Sequence, residues 1–194
     1  MDIGKNLQLS IDVYLKNFVV LFVASLLTGI LSCVTFLILA GPLSAGLFVI
    51  LRKVLRGEPA EIGEIFNHFD KFGVTFVFTL LIVIITIVAG IITIIPFLGK
   101  LALLIVVYPL LTFAYFIGIG LIVEQNQQPT VMLANIVSYI TADFVQIWIY
   151  ALVHFILGAI PVLAIFSNPL MSLGLIQAYD ELTNQTPTTP GVSA

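Results

Sequence analysis

Charged side chains are scarce in this sequence of 194 residues. Lysine, arginine, aspartate and glutamate together make up only 9 % of it, whereas 60 % of the residues are hydrophobic. A water-soluble fold of this size could not bury so many apolar side chains. The net charge of −3 is small and supplies no basic face, so we expect no nucleic-acid partner. The solvent of this chain is therefore predicted to be lipid.

The residues and motifs of catalysis are nearly absent as well. The chain has one cysteine, Cys33, which excludes an intramolecular disulfide, and only two histidines, His68 and His154. It has no G-x-x-x-x-G-K-S/T phosphate loop and no H-E-x-x-H zinc motif, and Ser44 lacks the spacing of a nucleophile elbow. We therefore predict that the protein is not an enzyme and that it has no catalytic residue, metal or cofactor.

Three long apolar runs are what the sequence does contain. They cover residues 18–51, 72–123 and 144–179. A helix needs about 20 apolar residues to cross the hydrocarbon core of a bilayer, so these runs are long enough for membrane spans. The sequence predicts an all-α membrane protein with a single transmembrane domain over residues 1–183. Residues 184–194 are polar and contain two prolines, and they are predicted to form a disordered tail.

Each apolar run divides into an outgoing leg and a return leg, and each leg follows a pattern that is common to the three runs. Each run begins amphipathically and becomes wholly apolar after an aromatic residue, which is Phe18, Phe72 or Phe144. Amphipathic segments of this kind lie on a membrane surface. Each return leg then starts at a proline followed by leucine and ends at a polar turn with another proline. The starting prolines are Pro42, Pro109 and Pro169. Of these, Pro109 is expected to kink a longer helix that begins near Leu101.

These matching legs predict six helices in three hairpin repeats, over about residues 4–57, 60–128 and 130–187. An amphipathic surface helix is expected before each hairpin. The second and sixth helices are expected to be short, because residues 42–51 supply only about 15 Å of apolar helix for a hydrocarbon core of roughly 30 Å. Full crossing and a re-entrant course stay open for these two helices.

The cations are distributed unevenly over the predicted sides of the membrane. If six helices cross, Lys100 falls on one side and the six other cations fall on the side of both termini. The six are Lys5, Lys16, Arg52, Lys53, Arg56 and Lys71. Cytoplasmic loops carry the excess of lysine and arginine, so we expect a multi-pass protein of the inner (plasma) membrane with both termini in the cytoplasm.

Polar or small residues recur at helical spacing on the first, third and fifth predicted helices. The three polar seams are Ser25, Thr28, Ser32 and Thr35; Thr75, Thr79, Thr86, Gly90 and Thr93; and Gln146, Tyr150, His154 and Gly158. Lipid does not stabilise such faces, so they are expected to point into the bundle, where they support close helix packing. The alternative is a polar path for a solute.

His154 is the sharpest candidate for an intramembrane polar site. It follows Phe144 by ten residues, or about 15 Å of helix, which places it near the bilayer midplane. An ionisable group at that depth is a functional candidate, with Tyr150 and Gln146 as neighbours on the same face. The structural alternative is a neutral imidazole with a hydrogen bond across the bundle.

Arg52, Lys53 and Arg56 form the densest cationic cluster of the sequence. Such a cluster attracts anionic lipid at about 1 kcal/mol per charge near the surface, so these residues are candidate contacts for anionic lipids. Three cations are also typical of any cytoplasmic rim, where their side chains reach along the helix to the interface. Specific recognition of a lipid is therefore not required by this cluster.

Two stretches resemble a known group of membrane proteins. AGPLSAGLFVILRKVLRGEPAEIGEIFNHFDKF, residues 40–72, and PLMSLGLIQAYDEL, residues 169–182, are similar to polytopic prokaryotic membrane proteins related to the membrane domain of glycerophosphodiester phosphodiesterases. These are largely uncharacterised families. The resemblance implies an all-α prokaryotic inner-membrane protein, and it carries over no catalytic residue. The soluble phosphodiesterase domain of some relatives has no counterpart in this sequence.

Two functions of different class follow from these features. The first is a non-enzymatic scaffold or accessory protein whose partners are membrane lipids, other membrane proteins or further copies of itself. We favour it because so few ionisable groups lie inside the apolar runs. The alternative is a small-solute or ion transporter or channel whose path is lined by the first, third and fifth helices. Flux that depends on His154 would distinguish them.

Overall fold

The computed structural model describes residues 3–92, 98–158 and 161–185, and within these ranges the chain is helical and contains no strand. The helices are α1 (Ile3–Lys16), α2 (Phe18–Val34), α3 (Ala40–Leu55), α4 (Phe72–Ile92), α5, α6 (Pro129–Ala142), α7 (Phe144–Gly158) and α8 (Pro161–Gln185). Helix α5 runs from Leu98–Ala102 through a π-helical segment, Leu103–Val107, into Tyr108–Gln125. The predicted all-α class is therefore confirmed. Most of the predicted tail, residues 186–194, lies outside the described residues.

Three aromatic residues mark the helix starts that the sequence predicts. Helices α2, α4 and α7 begin at Phe18, Phe72 and Phe144. The amphipathic helices before the first and third of them are sharply bent away, since Gly4–Lys16 meets Phe18–Val34 at 96° and Pro129–Ala142 meets Phe144–Ile156 at 102°. A bend near a right angle is what a surface helix needs before its chain turns into a bilayer.

The middle surface segment differs from the predicted amphipathic helix. It consists of two short 3-10 turns, Ile62–Phe66 and Phe69–Lys71. Ile65 is fully buried, whereas Phe66 and Phe69 are exposed. The Glu61 and Glu64 side chains form a capping box at the start of the first turn. The segment packs closely on α3, where Gly46 leaves room for the backbone of Ile65, and it forms tight turns in place of the predicted α-helix.

Two runs of helix are long and apolar enough to cross a membrane. They are Ile62–Ile91 and Gly99–Gln125. Up to four spans result if each of the two bent pairs counts as one. The outer face of α4 carries exposed apolar side chains such as Ile84, Ile87 and Ile91. Exposure of such residues is unfavourable in water and normal in lipid, so the described residues are compatible with a membrane protein.

The helices divide into an inner and an outer set. The inner helices α3, α5 and α8 contact one another, and α3 is buried along most of its length. Each outer helix fills the groove between two inner ones: α2 packs on α3 and α8, α4 on α3 and α5, and α7 on α5 and α8. Each surface segment packs on one inner helix: α1 packs on α8, the 3-10 turns pack on α3, and α6 packs on α5.

Helix α8 is longer than predicted. The sequence suggested a start near Pro169, but the helix begins at Pro161 and carries Pro169 in its interior. A proline inside a helix is tolerated in membrane proteins because neighbouring groups satisfy the freed backbone atoms. The prediction of a short sixth helix is therefore wrong for the length of the helix, which is 25 residues.

Helix α5 contains the only π-helical segment among the described residues, at Leu103–Val107, just before Pro109. Such a segment leaves backbone groups without their regular partners. The indole of Trp148 on α7 donates a hydrogen bond of 3.0 Å to the carbonyl oxygen of Ile105. The side chain of an outer helix therefore satisfies an irregular turn of an inner one.

Candidate functional site

A cluster of charged residues joins the three inner helices at one end. Arg52 comes from α3, Glu124 from α5 and Asp180 from α8. The Arg52 Nε lies 2.8 Å from Glu124 Oε1, and its Nη2 donates to Glu124 Oε2 at 3.1 Å. Its Nη1 pairs with Asp180 Oδ1. The three side chains are only 15, 28 and 41 % exposed, so this ion cluster is partly screened from solvent.

The local sequence explains why these three residues meet. Each follows a glycine of its own inner helix by six residues, Gly46 before Arg52, Gly118 before Glu124 and Gly174 before Asp180. A Cβ added to these glycines would collide with Ile65, Phe78 and His154, respectively, so neighbouring elements approach them closely. The three helices are therefore in comparable register, and the charged residues six positions after these glycines reach the same level.

The ion cluster borders an open cavity of about 610 Å³ at the end of the bundle. Its polar lining includes Arg52, Arg56, Glu124, Asp180 and Gln177. Arg52 also lies over the ring of Tyr179, with its guanidinium carbon 5.7 Å from the ring centre. Two cations face two carboxylates, so the cavity has a balanced charge and suits a polar surface contact better than the capture of one strongly charged ion.

The three predicted anionic-lipid contacts have different surroundings. Arg52 belongs to the ion cluster, and the Lys53 ammonium pairs with Glu64 at 2.9 Å. Arg56 is exposed at the end of α3. Carboxylates thus already compensate two of the three cations, and the structure leaves Arg56 as the cation with the freest access to a headgroup.

The predicted intramembrane site is assembled in part. Tyr150 is fully buried and His154 is 4 % exposed, and their rings stack with centres 4.3 Å apart. The Tyr150 hydroxyl donates to the Gly174 carbonyl at 2.6 Å. The His154 Nδ1 lies 2.7 Å from the carbonyl oxygen of Tyr150. A carbonyl only accepts, so Nδ1 carries a proton in this bond. Gln146 is half-buried one turn before Tyr150.

Two of the three polar seams have neighbours in common. On α4, Thr79 Oγ1 lies 3.4 Å from the Tyr115 hydroxyl, which in turn donates to Ser44 Oγ at 3.0 Å. On α7, Tyr150 and His154 pack on α8, as described above. The seam of α2 lines a cavity between α2 and the inner helices. Ser44 and Tyr115 also line that cavity, so the seams of α2 and α4 meet at the same hydroxyl groups, whereas the seam of α7 packs on α8. Thr93 lies outside the described residues.

The sequence did not reveal the ion cluster. It singled out Arg52 as a lipid contact and passed over Glu124 and Asp180. A signal was present, since each of the three is the first charged residue after the proline that opens its return leg. Among the described residues, no group of three His, Cys, Asp or Glu side chains is placed to hold a metal ion.

Comparison of the chain with known proteins finds no matching family model, no matching curated protein and no matching solved structure. The resemblance of residues 40–72 and 169–182 to prokaryotic membrane proteins therefore stays a prediction. Any function has to be inferred from the geometry of the chain itself.

Proposed function

We propose that the protein is a non-enzymatic scaffold or accessory protein of the inner membrane, which contacts lipids or partner proteins at the end of the bundle that carries the ion cluster. The observation that supports this most is the pairing of Arg52 with Glu124 and Asp180. It ties all three inner helices together at that end and frames an open polar cavity there. A rigid polar end of this kind suits the docking of a partner.

The three-hairpin repeat is part of this proposal. The contacts between helices support it, because in each repeat the outer helix packs on two inner helices and the surface segment packs on one. The glycines that precede the charged residues by six positions give a register for the repeat. Pro42, Pro109 and Pro169 do not give a common register, because the same charged residues follow them by 10, 15 and 11 positions.

The proposed topology has both termini in the cytoplasm. Contacts place Lys71 at the end of the bundle that carries Arg52, since it donates to the Ile122 carbonyl and to Asn126 at 3.1 Å each, next to Glu124. Asn6 donates to Glu181 at 3.0 Å, which brings the start of α1 to the same end. Lys100 lies at the other end of α5. This separation supports a positive-inside orientation.

Transport through a path lined by α2, α4 and α7 is the second function. His154 is the observation that favours it, since a buried ionisable side chain inside an apolar bundle is a common part of transport sites. Two observations weigh against it. His154 already has a hydrogen-bond partner on its own helix. None of the described residues of α7 lines the cavity where the seams of α2 and α4 meet.

Reconstitution into liposomes tests the two functions. We expect purified protein to give no flux above that of empty liposomes for protons, alkali cations, small anions and sugars. Flux that disappears in His154→Ala and persists in Arg56→Ala would overturn the scaffold and establish the transporter. For the scaffold, a photo-crosslinker at position 56 should capture a partner or a lipid in native membranes, and one at Lys100 should not.

A further inference from the structure

A cavity lined by hydroxyl groups lies inside the bundle, between α2 and the inner helices. It has a volume of about 190 Å³. Its polar side chains include Ser25, Thr28, Ser44, Tyr115 and Ser172. Several of these hydroxyls have partners within the protein: Tyr115 donates to Ser44, and Ser172 donates to the carbonyl of Asn168 at 2.9 Å.

Ser25 and Thr28 are different. They are 6 and 8 % exposed, and their side-chain oxygens are buried without a hydrogen-bond partner in the protein. Buried polar groups in folded proteins are almost always bonded, so two adjacent exceptions require an explanation. Both side chains line the cavity. Two hydroxyl groups of the cavity wall therefore remain without a partner in the protein.

An apolar groove of about 390 Å³ adjoins the cavity on the lipid-facing side. Leu26, Ile30, Cys33 and Val34 form its apolar wall on α2, and Ile30 and Val34 are 49 and 69 % exposed. The groove and the cavity share Ser25, Gly29 and Asn168 as lining residues. An elongated ligand can therefore extend from the groove into the cavity.

We propose that the groove and the cavity together bind one single-chain lipid with an uncharged, hydroxyl-bearing head. The chain lies in the groove beside Ile30, and the head forms hydrogen bonds with Ser25 and Thr28. This site deepens the lipid contact of the proposed function and rests on the chain lying in a bilayer. The scaffold role has its own test in the flux measurement.

The chemistry of the lining defines the class of head group. None of the described residues that line the groove or the cavity is charged. A carboxylate, phosphate or ammonium group would be desolvated there without an opposite charge, which is strongly unfavourable. A hydroxyl head both donates and accepts, so it satisfies either unpaired side chain. Phospholipids and fatty acid anions are therefore excluded, and monoacylglycerols fit.

Cys33 makes the site accessible to measurement. It is the only cysteine of the chain, it is exposed, and it lies in the groove. A bound chain should shield it from a maleimide. At a lipid concentration of ten times Kd, about one site in eleven stays empty, so alkylation should slow about tenfold. The probe is monooleoylglycerol, with oleate and methyl oleate as comparison lipids in the same detergent.

Two variants locate the ligand. A Cβ at Gly29 would meet no atom within 4 Å, so Gly29→Leu places a side chain in open space where groove and cavity join. The same holds for Gly90 on α4, and Gly90→Leu is the matched control. We expect Gly29→Leu to abolish the protection by monooleoylglycerol and Gly90→Leu to retain it. A variant with Cys33→Ala and Ile84→Cys carries its only thiol on the lipid-facing side of α4. Monooleoylglycerol should not protect this thiol from alkylation.

The hydroxyls are tested by Ser25→Ala combined with Thr28→Val, which keeps the shapes of the side chains. Lipid-free protein should keep or raise its Tm, because the removed groups have no partner, and protection by monooleoylglycerol should disappear. A lower Tm without lipid would show that the hydroxyls are bonded within the protein and would overturn the proposal. Equal protection by all three lipids would show that the head group is not recognised, and no protection of the wild type would indicate a cavity filled by water. Either result would overturn the proposal.

Discussion

Arg52 illustrates how one side chain acquires its role from tertiary contacts. In the sequence it is one of three neighbouring cations, all equally suited to a membrane surface. In the fold it faces two carboxylates from two other helices, whereas Arg56, one turn later, is exposed. The difference comes from the register of α3, α5 and α8, and a single helix contains no information on that register.

Replacement of Arg52 by alanine should therefore destabilise the protein more than the same change at Arg56. Glu124 and Asp180 would lose their common partner while partly shielded, at a cost of about 1–2 kcal/mol, whereas changes at exposed residues stay within about 0.5 kcal/mol. Thermal unfolding in detergent, followed by circular dichroism, measures both variants. Equal loss of Tm would show that the ion cluster contributes nothing specific.

Gly174 gives a second test at the residue scale. A Cβ there would collide with the His154 ring, so Gly174→Ala should lower stability by about 1–3 kcal/mol, as overpacked sites do. Gly90→Ala, where a Cβ meets open space, should be neutral or stabilising. In a His154→Ala background the Gly174→Ala change should become tolerated. If its cost is unchanged there, the contact with His154 is not its cause.

At the scale of elements, the sequence predicted the starts of the outer helices well and the return legs less well. Phe18, Phe72 and Phe144 are places where an amphipathic pattern becomes wholly apolar, and such a change is readable from the chain itself. The start of α8 was misplaced because Pro169 resembles a helix beginning, although in a membrane protein it can lie inside a helix. The 3-10 turns depend on a contact with α3 that no local pattern records.

That contact also yields a prediction for the middle surface segment. A Cβ at Gly46 would collide with the backbone of Ile65, so Gly46→Ala should push the 3-10 turns away from α3. We expect faster amide hydrogen exchange in Ile62–Phe66, because local opening of a segment speeds its exchange. Gly73→Ala, where a Cβ meets nothing within 4 Å, is the control. Unchanged exchange in both variants would contradict a tight seat on α3.

At the scale of the whole molecule, the charge distribution predicts the orientation in the membrane. With Cys33 replaced by alanine, a cysteine at Arg56 should stay unlabelled by an impermeant maleimide in intact cells, and a cysteine at Lys100 should react. Both should react after permeabilisation. Labelling of position 56 in intact cells would reverse the proposed topology. Failure of the three hairpins to superpose on one another would refute the repeat.

The candidate sites show the same limit of sequence reasoning. Tyr150 and His154 could be paired from their spacing, because residues four apart share a helix face. The ion cluster and the cavity beside Ser25 could not be predicted in this way, since both are formed by helices far apart in the chain. Helix periodicity identifies which face is polar, and the packing of the bundle decides what that face meets.

The bond between the Trp148 indole and the Ile105 carbonyl gives the protein a built-in optical reporter. Because Trp148 is the sole tryptophan, excitation near the red edge of protein absorbance selects this one contact between α7 and α5. Emission from that ring will follow any parting of α7 from α5. The docking of α7 onto α5 can thus be timed without attaching a dye.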